Sequence, residues 1–284
     1  MTGDVGAPRA IEQRVRIHGL DVHVSVRPGP GDATPLLLLM GVGGNSEMWH
    51  PVRDMIGATR TTVSFDVPGT GRSATPPIPL HLGLIATIAT RVLDLAGVER
   101  ADVMGVSWGG LLAQHLAIVH RRRVRRVVLA NTHYGLGGIP ASPKALATLM
   151  SVRRFRDSQA FTEALASFGG TADGRSIPEA LRGHVAARLA CPPTARGYLF
   201  QMLSISTWSS LPFLPLLRRP TLMLAGGADP AVPAVNARIM NALVPDSELV
   251  VVPDGGHLML FERADELVPV VERFLGPDTR NPHG

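Results

Sequence analysis

Ala101-Asp102-Val103-Met104-Gly105-Val106-Ser107-Trp108-Gly109-Gly110-Leu111-Leu112 joins a short, mostly apolar run to a segment with helical periodicity. The first half, Ala101 to Val106, has the length and character of a buried strand. The second carries Leu111, Leu112, His115, Leu116 and Val119 at helical spacing between Trp108 and His120. Residues 105–109 between them read G-x-S-x-G. A serine on such a tight strand-to-helix turn has its hydroxyl lifted above the sheet edge. The turn is crowded, and Gly105 and Gly109 let neighbouring backbone pass where a Cβ would clash. Ser107 is therefore the expected nucleophile.

The flanking sequence extends this unit in both directions. Arg14–Ile17 and Val22–Val26 alternate apolar and polar residues around His18-Gly19-Leu20-Asp21, which predicts an antiparallel hairpin at a sheet edge. Leu36–Leu39, Thr61–Phe65, Ala101–Val106, Arg126–Asn131, Thr221–Ala225 and Glu248–Val252 are continuous apolar runs, expected of parallel strands covered on both faces. Helical patterns at Leu80–Gly97, Trp108–His120, Val232–Leu243 and Ala264–Phe274 fill the gaps. The expectation is an α/β fold with a mostly parallel eight-stranded sheet and helices on both faces.

Nearly ninety residues separate Asn131 from Thr221, too many for a structureless crossover. Helical patches at Pro143–Arg156, Ser158–Phe168, Pro178–Leu189 and Tyr198–Ser204 predict an inserted helical cap over roughly residues 136–216. Residues 1–135 and 217–284 would then form the two parts of the core, with Leu211-Pro212-Phe213-Leu214-Pro215 leading back into it.

Composition narrows the function classes. The 284 residues are 45% hydrophobic and 18% charged, as in a globular chain with a sizeable core. No basic and apolar leader opens the sequence and no apolar run approaches the ~18 residues of a membrane span, so a cytoplasmic protein without a transmembrane segment is expected. Cys191 is the only cysteine, which rules out an intrachain disulfide. The net charge is +5, and Lys144 is the only lysine. The densest basic cluster, Arg121-Arg122-Arg123-Val124-Arg125-Arg126, falls where a helix ends and a strand begins. Arginines there favour the helix dipole, and no aromatics are interleaved for base stacking, so no nucleic-acid partner is expected. A basic face leaves contact with an anionic surface open.

A serine hydroxyl needs a base, and the base needs an orienting acid. Asp229 follows the run Thr221–Ala225 in Gly226-Gly227-Ala228-Asp229-Pro230. His257 follows Leu249–Val252 in Pro253-Asp254-Gly255-Gly256-His257. Parallel strands deliver such loops to one edge, so Ser107, Asp229 and His257 should converge. Asp246 precedes its strand and lies at the wrong edge, and Asp254 is too near His257 to orient it. Acyl transfer also needs two donors for the oxyanion. The expected pair is the backbone N–H groups of Trp108 and of Val42 in Met40-Gly41-Val42-Gly43-Gly44. No Lys-Ser/Thr follows that glycine loop, which weakens a phosphate-binding reading. No metal or cofactor is called for.

With these residues in order, almost the whole chain resembles the α/β-hydrolase superfamily. Phe65-Asp66-Val67-Pro68-Gly69, Gly105–Gly110 and Asp254-Gly255-Gly256-His257-Leu258 are similar to intracellular medium-chain-length poly(3-hydroxyalkanoate) depolymerases. So are Phe168-Gly169-Gly170, Tyr198–Gln201 and Thr207-Trp208-Ser209-Ser210. The resemblance implies a serine ester hydrolase acting on 3-hydroxyacyl polyesters, its triad at Ser107, Asp229 and His257, and leaves association with a storage-granule surface open. It departs at Met40, where family members often carry Asn or His. Related synthases use a cysteine nucleophile, and dehalogenases and epoxide hydrolases an aspartate, so Ser107 argues against those activities. A general carboxylesterase, lipase or thioesterase remains the alternative, and a granule-bound protein without turnover a third. Leu146, Leu149, Met150, Phe155, Phe161, Phe168, Met202, Leu203 and Trp208 are candidates for an acyl pocket or the cap's own core. Trp208 and Tyr198 are the expected substrate contacts.

Overall fold

A computed structural model describes residues 11–155, 157–169 and 175–276; Arg156 and Gly170 of the stretches above lie outside the described residues. The strands are β1 (Ile11–Ile17), β2 (Leu20–Arg27), β3 (Leu36–Leu39), β4 (Thr62–Phe65), β5 (Ala101–Val106), β6 (Val124–Ala130), β7 (Thr221–Gly226) and β8 (Ser247–Val252). They form one sheet in the order β1-β2-β4-β3-β5-β6-β7-β8. β1 pairs antiparallel with β2, and β2 antiparallel with β4; every later pairing is parallel. The predicted hairpin and the six apolar runs are thus all present, β1 beginning three residues earlier than expected and the other ends shifted by at most two.

The helices are α1 (Val52–Gly57), α2 (Leu82–Leu95), α3 (Trp108–Val119), α4 (Pro143–Met150), α5 (Ser158–Leu165), α6 (Arg182–Ala190), α7 (Ala195–Thr207), α8 (Val235–Leu243), α9 (Met259–Glu262) and α10 (Ala264–Leu275). Alternate strand residues point to opposite faces of the sheet. Leu37, Leu39, Val63, Val103, Val127 and Met223 pack with Ile85 and Ile88 of α2, with Leu112 and Leu116 of α3, and with Met240 of α8. Leu36, Leu38, Met104, Val128 and Leu222 pack on the other face with Val52 and Ile56 of α1 and Leu267 and Val271 of α10. Covering both faces is what makes these strands continuously apolar.

Between β6 and β7 the described residues hold helices, connecting loops and one isolated β-bridge, Gly135 with Ser209, but no further strand. Local sequence sets their starts. Ser142 caps α4 ahead of Pro143, Asp157 caps α5 through Ala160 N at 2.8 Å, and Thr194 caps α7 through Gly197 N at 3.0 Å. Leu211–Leu216, on the way back to β7, is a 3-10 helix. Part of the arginine cluster is absorbed by the fold, while Arg121 and Arg122 stay exposed. Arg125 binds both oxygens of buried Asp102 and the Leu275 carbonyl, while Arg126 donates to the carbonyls of Phe274 and Gly276. Among the described residues no helix is long and apolar enough to cross a membrane.

Candidate active site

Six parallel strands, β3 to β8, end on one edge of the sheet, and five of them, all but β4, deliver a piece of the site. Ser107, between β5 and α3, has φ 53° and ψ −119°, the strained turn that the glycine pattern predicts. A Cβ on Gly105 would lie 2.3 Å from the Gly109 carbonyl oxygen, and one on Gly109 would lie 2.0 Å from that of Leu39. These approaches leave no room for any other residue. The Ser107 backbone is pinned further, its N–H donating to Ala130 O at 2.9 Å and its carbonyl accepting from Thr132 Oγ1 at 2.6 Å.

The structure brings Ser107, His257 and Asp229 together from three strand ends. His257 Nε2 lies 3.2 Å from Ser107 Oγ, and Nδ1 lies 2.8 Å from Asp229 Oδ2. Asp229 is buried and fully engaged. Its Oδ1 accepts from the N–H groups of Ala231 and Val232 at 2.8 and 2.9 Å, and its Oδ2 also accepts from Asn131 Nδ2 at 2.7 Å. With Oδ2 already bound to Asn131, the carboxylate cannot swing, so the imidazole it faces is fixed in orientation. Because Asp229 accepts at Nδ1, that nitrogen carries the proton and Nε2 presents its lone pair to the serine. The His257 N–H donates to Phe168 O at 2.7 Å, tying the loop to the helical stretch above it. The competing acids are elsewhere: exposed Asp254 pairs with Arg263 at 2.7 Å, and the carbonyl of Asp246 accepts from Thr221 N.

Beside the serine, Val42 lines the cavity and Trp108 opens α3. The neighbours of Val42 in the glycine loop are committed, Gly43 N to Gln201 Oε1 at 2.7 Å and Gly44 N to Gly41 O at 2.9 Å. The Trp108 indole is buried and donates to Ser204 Oγ at 2.8 Å, locking α3 to α7. Met40 packs against Gly44 and the cavity wall.

The cavity over Ser107 encloses about 50 Å3. Met40, Val106, Leu149, Phe161, Phe168, Leu258 and Phe261 give it apolar walls. Of the nine apolar candidates, Leu149, Phe161 and Phe168 reach it, whereas Leu146, Met150 and Leu203 are exposed. Trp208 and Tyr198 are not in its wall. The Trp208 indole N–H is given to His115 Nδ1 at 3.1 Å, against the core helix α3. Tyr198 is buried behind the cavity, its hydroxyl donating to Leu149 O at 2.6 Å and accepting from Arg154. Both sit in packing that the sequence places near the site without revealing which way the rings turn.

Four side chains here were not anticipated: Asn131, His184, Arg154 and Arg188. Asn131 takes a left-handed φ of 44°, tolerable for an asparagine, which aims its amide at Asp229. His184 and Arg188 follow Leu181 and Val185 on the buried side of α6, so helical spacing was the available clue. His184 Nδ1 bonds to Met48 O at 2.9 Å, and burial first, then the Arg188 charge, holds its pKa down to about 3. It is therefore a neutral cavity wall. Among the described residues no cluster of His, Cys, Asp and Glu is suited to a metal ion.

The model of the alpha/beta hydrolase fold family matches residues 34–264. The chain belongs to that family. This α/β hydrolase is 34% identical to a poly(3-hydroxyalkanoate) depolymerase of Ectopseudomonas oleovorans, over 93% of the chain and 92% of the relative. A hydrolase structure from Pseudomonas aeruginosa PA01 superposes with a TM-score of 0.78 at 23% identity, covering 96% of this chain and all, 100%, of that one. The enol-lactonase of Burkholderia xenovorans LB400 gives 0.77 at 24% identity, with 92% and 99% covered. The last two establish likeness of fold.

Proposed function

We propose that this α/β hydrolase is a serine ester hydrolase acting through an acyl-enzyme, and that its substrates are medium-chain 3-hydroxyacyl esters related to poly(3-hydroxyalkanoate). The observation that carries the reading is the continuous relay Ser107 Oγ–His257 Nε2, His257 Nδ1–Asp229 Oδ2, at 3.2 and 2.8 Å. Ser107 Oγ attacks the ester carbonyl carbon while its proton passes to His257 Nε2. Asp229 steadies the imidazolium so formed. The N–H groups of Val42 and Trp108 receive the oxyanion. The carbon–oxygen ester bond then breaks, and Nε2–H protonates the departing alkoxide as the alcohol. Water, deprotonated by the same nitrogen, attacks the acyl-enzyme and releases the carboxylic acid and free Ser107. Helices α4 to α7, within residues 136–216, act as the cap that sets which acyl groups enter.

The substrate class rests on the likeness to the depolymerase together with the apolar walls. The cavity's small volume favours a second reading, a carboxylesterase of short monomeric esters. Two experiments decide. An active-site phosphonate should label wild type stoichiometrically and leave Ser107→Ala unlabelled; labelling of the variant would dismiss Ser107 as nucleophile. An ester panel graded by acyl length, run beside colloidal 3-hydroxyoctanoate and 3-hydroxybutyrate polymers, should release 3-hydroxyoctanoate. Brisk octanoate ester hydrolysis with no release from either polymer would select the second reading.

A further inference from the structure

Two arginines stand in the wall of a cavity whose other polar members are Ser107, His184 and His257. Arg188 is 8% exposed and Arg154 5%, and both line the space that holds Ser107 and His257. The Arg188 guanidinium lies 5.3 Å from the Phe155 ring and 5.8 Å from the Phe161 ring. Its Nε and Nη1 are buried without a hydrogen-bond partner. Arg154 is held in place by the carbonyls of Thr148 and Ser151 and by the Tyr198 hydroxyl. Among the described residues neither guanidinium is paired with a carboxylate.

A buried cation without a counter-ion is costly, and a second cation beside it adds to the cost. Burial first, and then the Arg154 charge, both work against the charged form of Arg188. A guanidinium answers such pressure by taking an anion rather than by losing its proton. The rings of Phe155 and Phe161 cover its faces and satisfy none of its N–H donors. Arg188 lines the reaction cavity with one unpaired donor on each of its two hydrogen-bonding edges, Nε–H on one and Nη1–H on the other, and a carboxylate oxygen meeting either edge would satisfy one of them.

We propose that Arg188, backed by Arg154, docks a carboxylate carried by the substrate, so that the preferred esters end in a free acid, as short 3-acyloxyalkanoates do. The proposal rests on the reading of Ser107 as an ester-cleaving nucleophile. It also gives chemical sense to the hydroxy acid units of such esters. In the carboxyl-terminal unit the acid is two carbons from the oxygen that leaves, so Arg188 would hold the leaving fragment while Ser107 keeps the acyl group. Tyr198 becomes a positioning residue for Arg154.

The test compares the dimer of 3-hydroxyoctanoic acid, as the free acid, with its methyl ester. Wild type should show kcat/KM at least roughly tenfold higher for the acid, the ordinary range for a hydrogen-bonded charge. Arg188→Met keeps the apolar stem and should bring that ratio close to one through a raised KM; Arg188→Lys should retain part of it. Equal kcat/KM for acid and methyl ester in wild type, or an unchanged ratio in Arg188→Met, overturns the proposal. Binding is read separately by calorimetry on Ser107→Ala, with 3-hydroxyoctanoate against 3-hydroxyoctanamide. Tighter binding of the carboxylate supports the carboxylate site even if no ester is turned over, and equal binding removes it. If Arg188→Met does not fold, this comparison alone decides.

Discussion

Asp229→Asn tests the relay at the point where the structure leaves least freedom. Oδ1 accepts from two backbone N–H groups, of Ala231 and Val232, at 2.8 and 2.9 Å. Only an oxygen can stay there, so the new amide nitrogen must replace Oδ2. It then faces Asn131 Nδ2 across 2.7 Å and His257 Nδ1 across 2.8 Å. The first contact becomes donor against donor, which costs about 1–3 kcal/mol of stability. The second forces His257 Nδ1 to accept, moving its proton to Nε2, where it points at Ser107 and cannot take the serine's proton. A wrong tautomer of this kind lowers kcat by roughly 10⁴. Adding Asn131→Asp restores an acceptor beside the new amide but leaves the amide donating to Nδ1. The new oxygen also faces the Gly256 carbonyl, 3.2 Å from the present Nδ2, so the double variant should regain little stability and stay inactive toward p-nitrophenyl octanoate. Asp229→Asn with more than a tenth of wild-type kcat, or a double variant with recovered turnover, would refute the tautomer argument.

Three further outcomes are expected. Gly109→Ala drives a Cβ against the Leu39 backbone, and should cost about 3 kcal/mol or more, seen as a lowered urea midpoint or loss of folded protein. An unchanged midpoint would mean that the turn has more room than described. Trp208→Ala should lower Tm and reduce kcat/KM equally for acetate, butyrate and octanoate esters, because the ring packs on His115 rather than in the cavity; a selective loss on octanoate would return it to the acyl pocket. Stability should also fall in acid. His115 and His184 are held at about 4 and about 3, chiefly by burial, below the ordinary value near 6.5. Both are neutral in either state above that value. Below it only the unfolded chain takes up their protons until the folded values are passed, at about 1.4 kcal/mol per pH unit for buried His184 and at less for His115, which solvent partly screens. His115→Gln should flatten the fall in urea-derived stability between pH 6.5 and 4; an unaltered slope would acquit His115.

The legible part of the site is the part that depends on backbone. The G-x-S-x-G turn, and the loops after β7 and β8, announce themselves because glycine and chain order record where main chain must bend or pass close. The sheet was legible for a similar reason, since burial on both faces leaves uninterrupted apolar runs. Short α1 was not, because six residues after Pro51 are too few to establish a period. The cavity wall was less legible still. Arg154 falls at the end of the helical pattern Pro143–Arg156, where nothing in the sequence marks its side chain as one that turns inward. Trp208 and Tyr198 show the reverse: aromatic character marked them as contacts, but which partner a ring meets is decided by packing between segments distant in sequence.

The proposed relay would also date the birth of activity in each molecule. Ser107 and His257 stand 150 residues apart in the chain, with the whole helical stretch between them. At about 5–20 residues per second of synthesis, the serine waits roughly ten to thirty seconds for its base. During that interval β5 and β6 can already pair, yet β7 and β8, which bring Asp229 and His257, do not exist. A nascent or C-terminally clipped chain thus presents a hydroxyl that nothing activates. On the proposed mechanism, turnover requires β8 to have docked at the sheet's edge with His257 behind it, and so reports that the chain has folded at least that far.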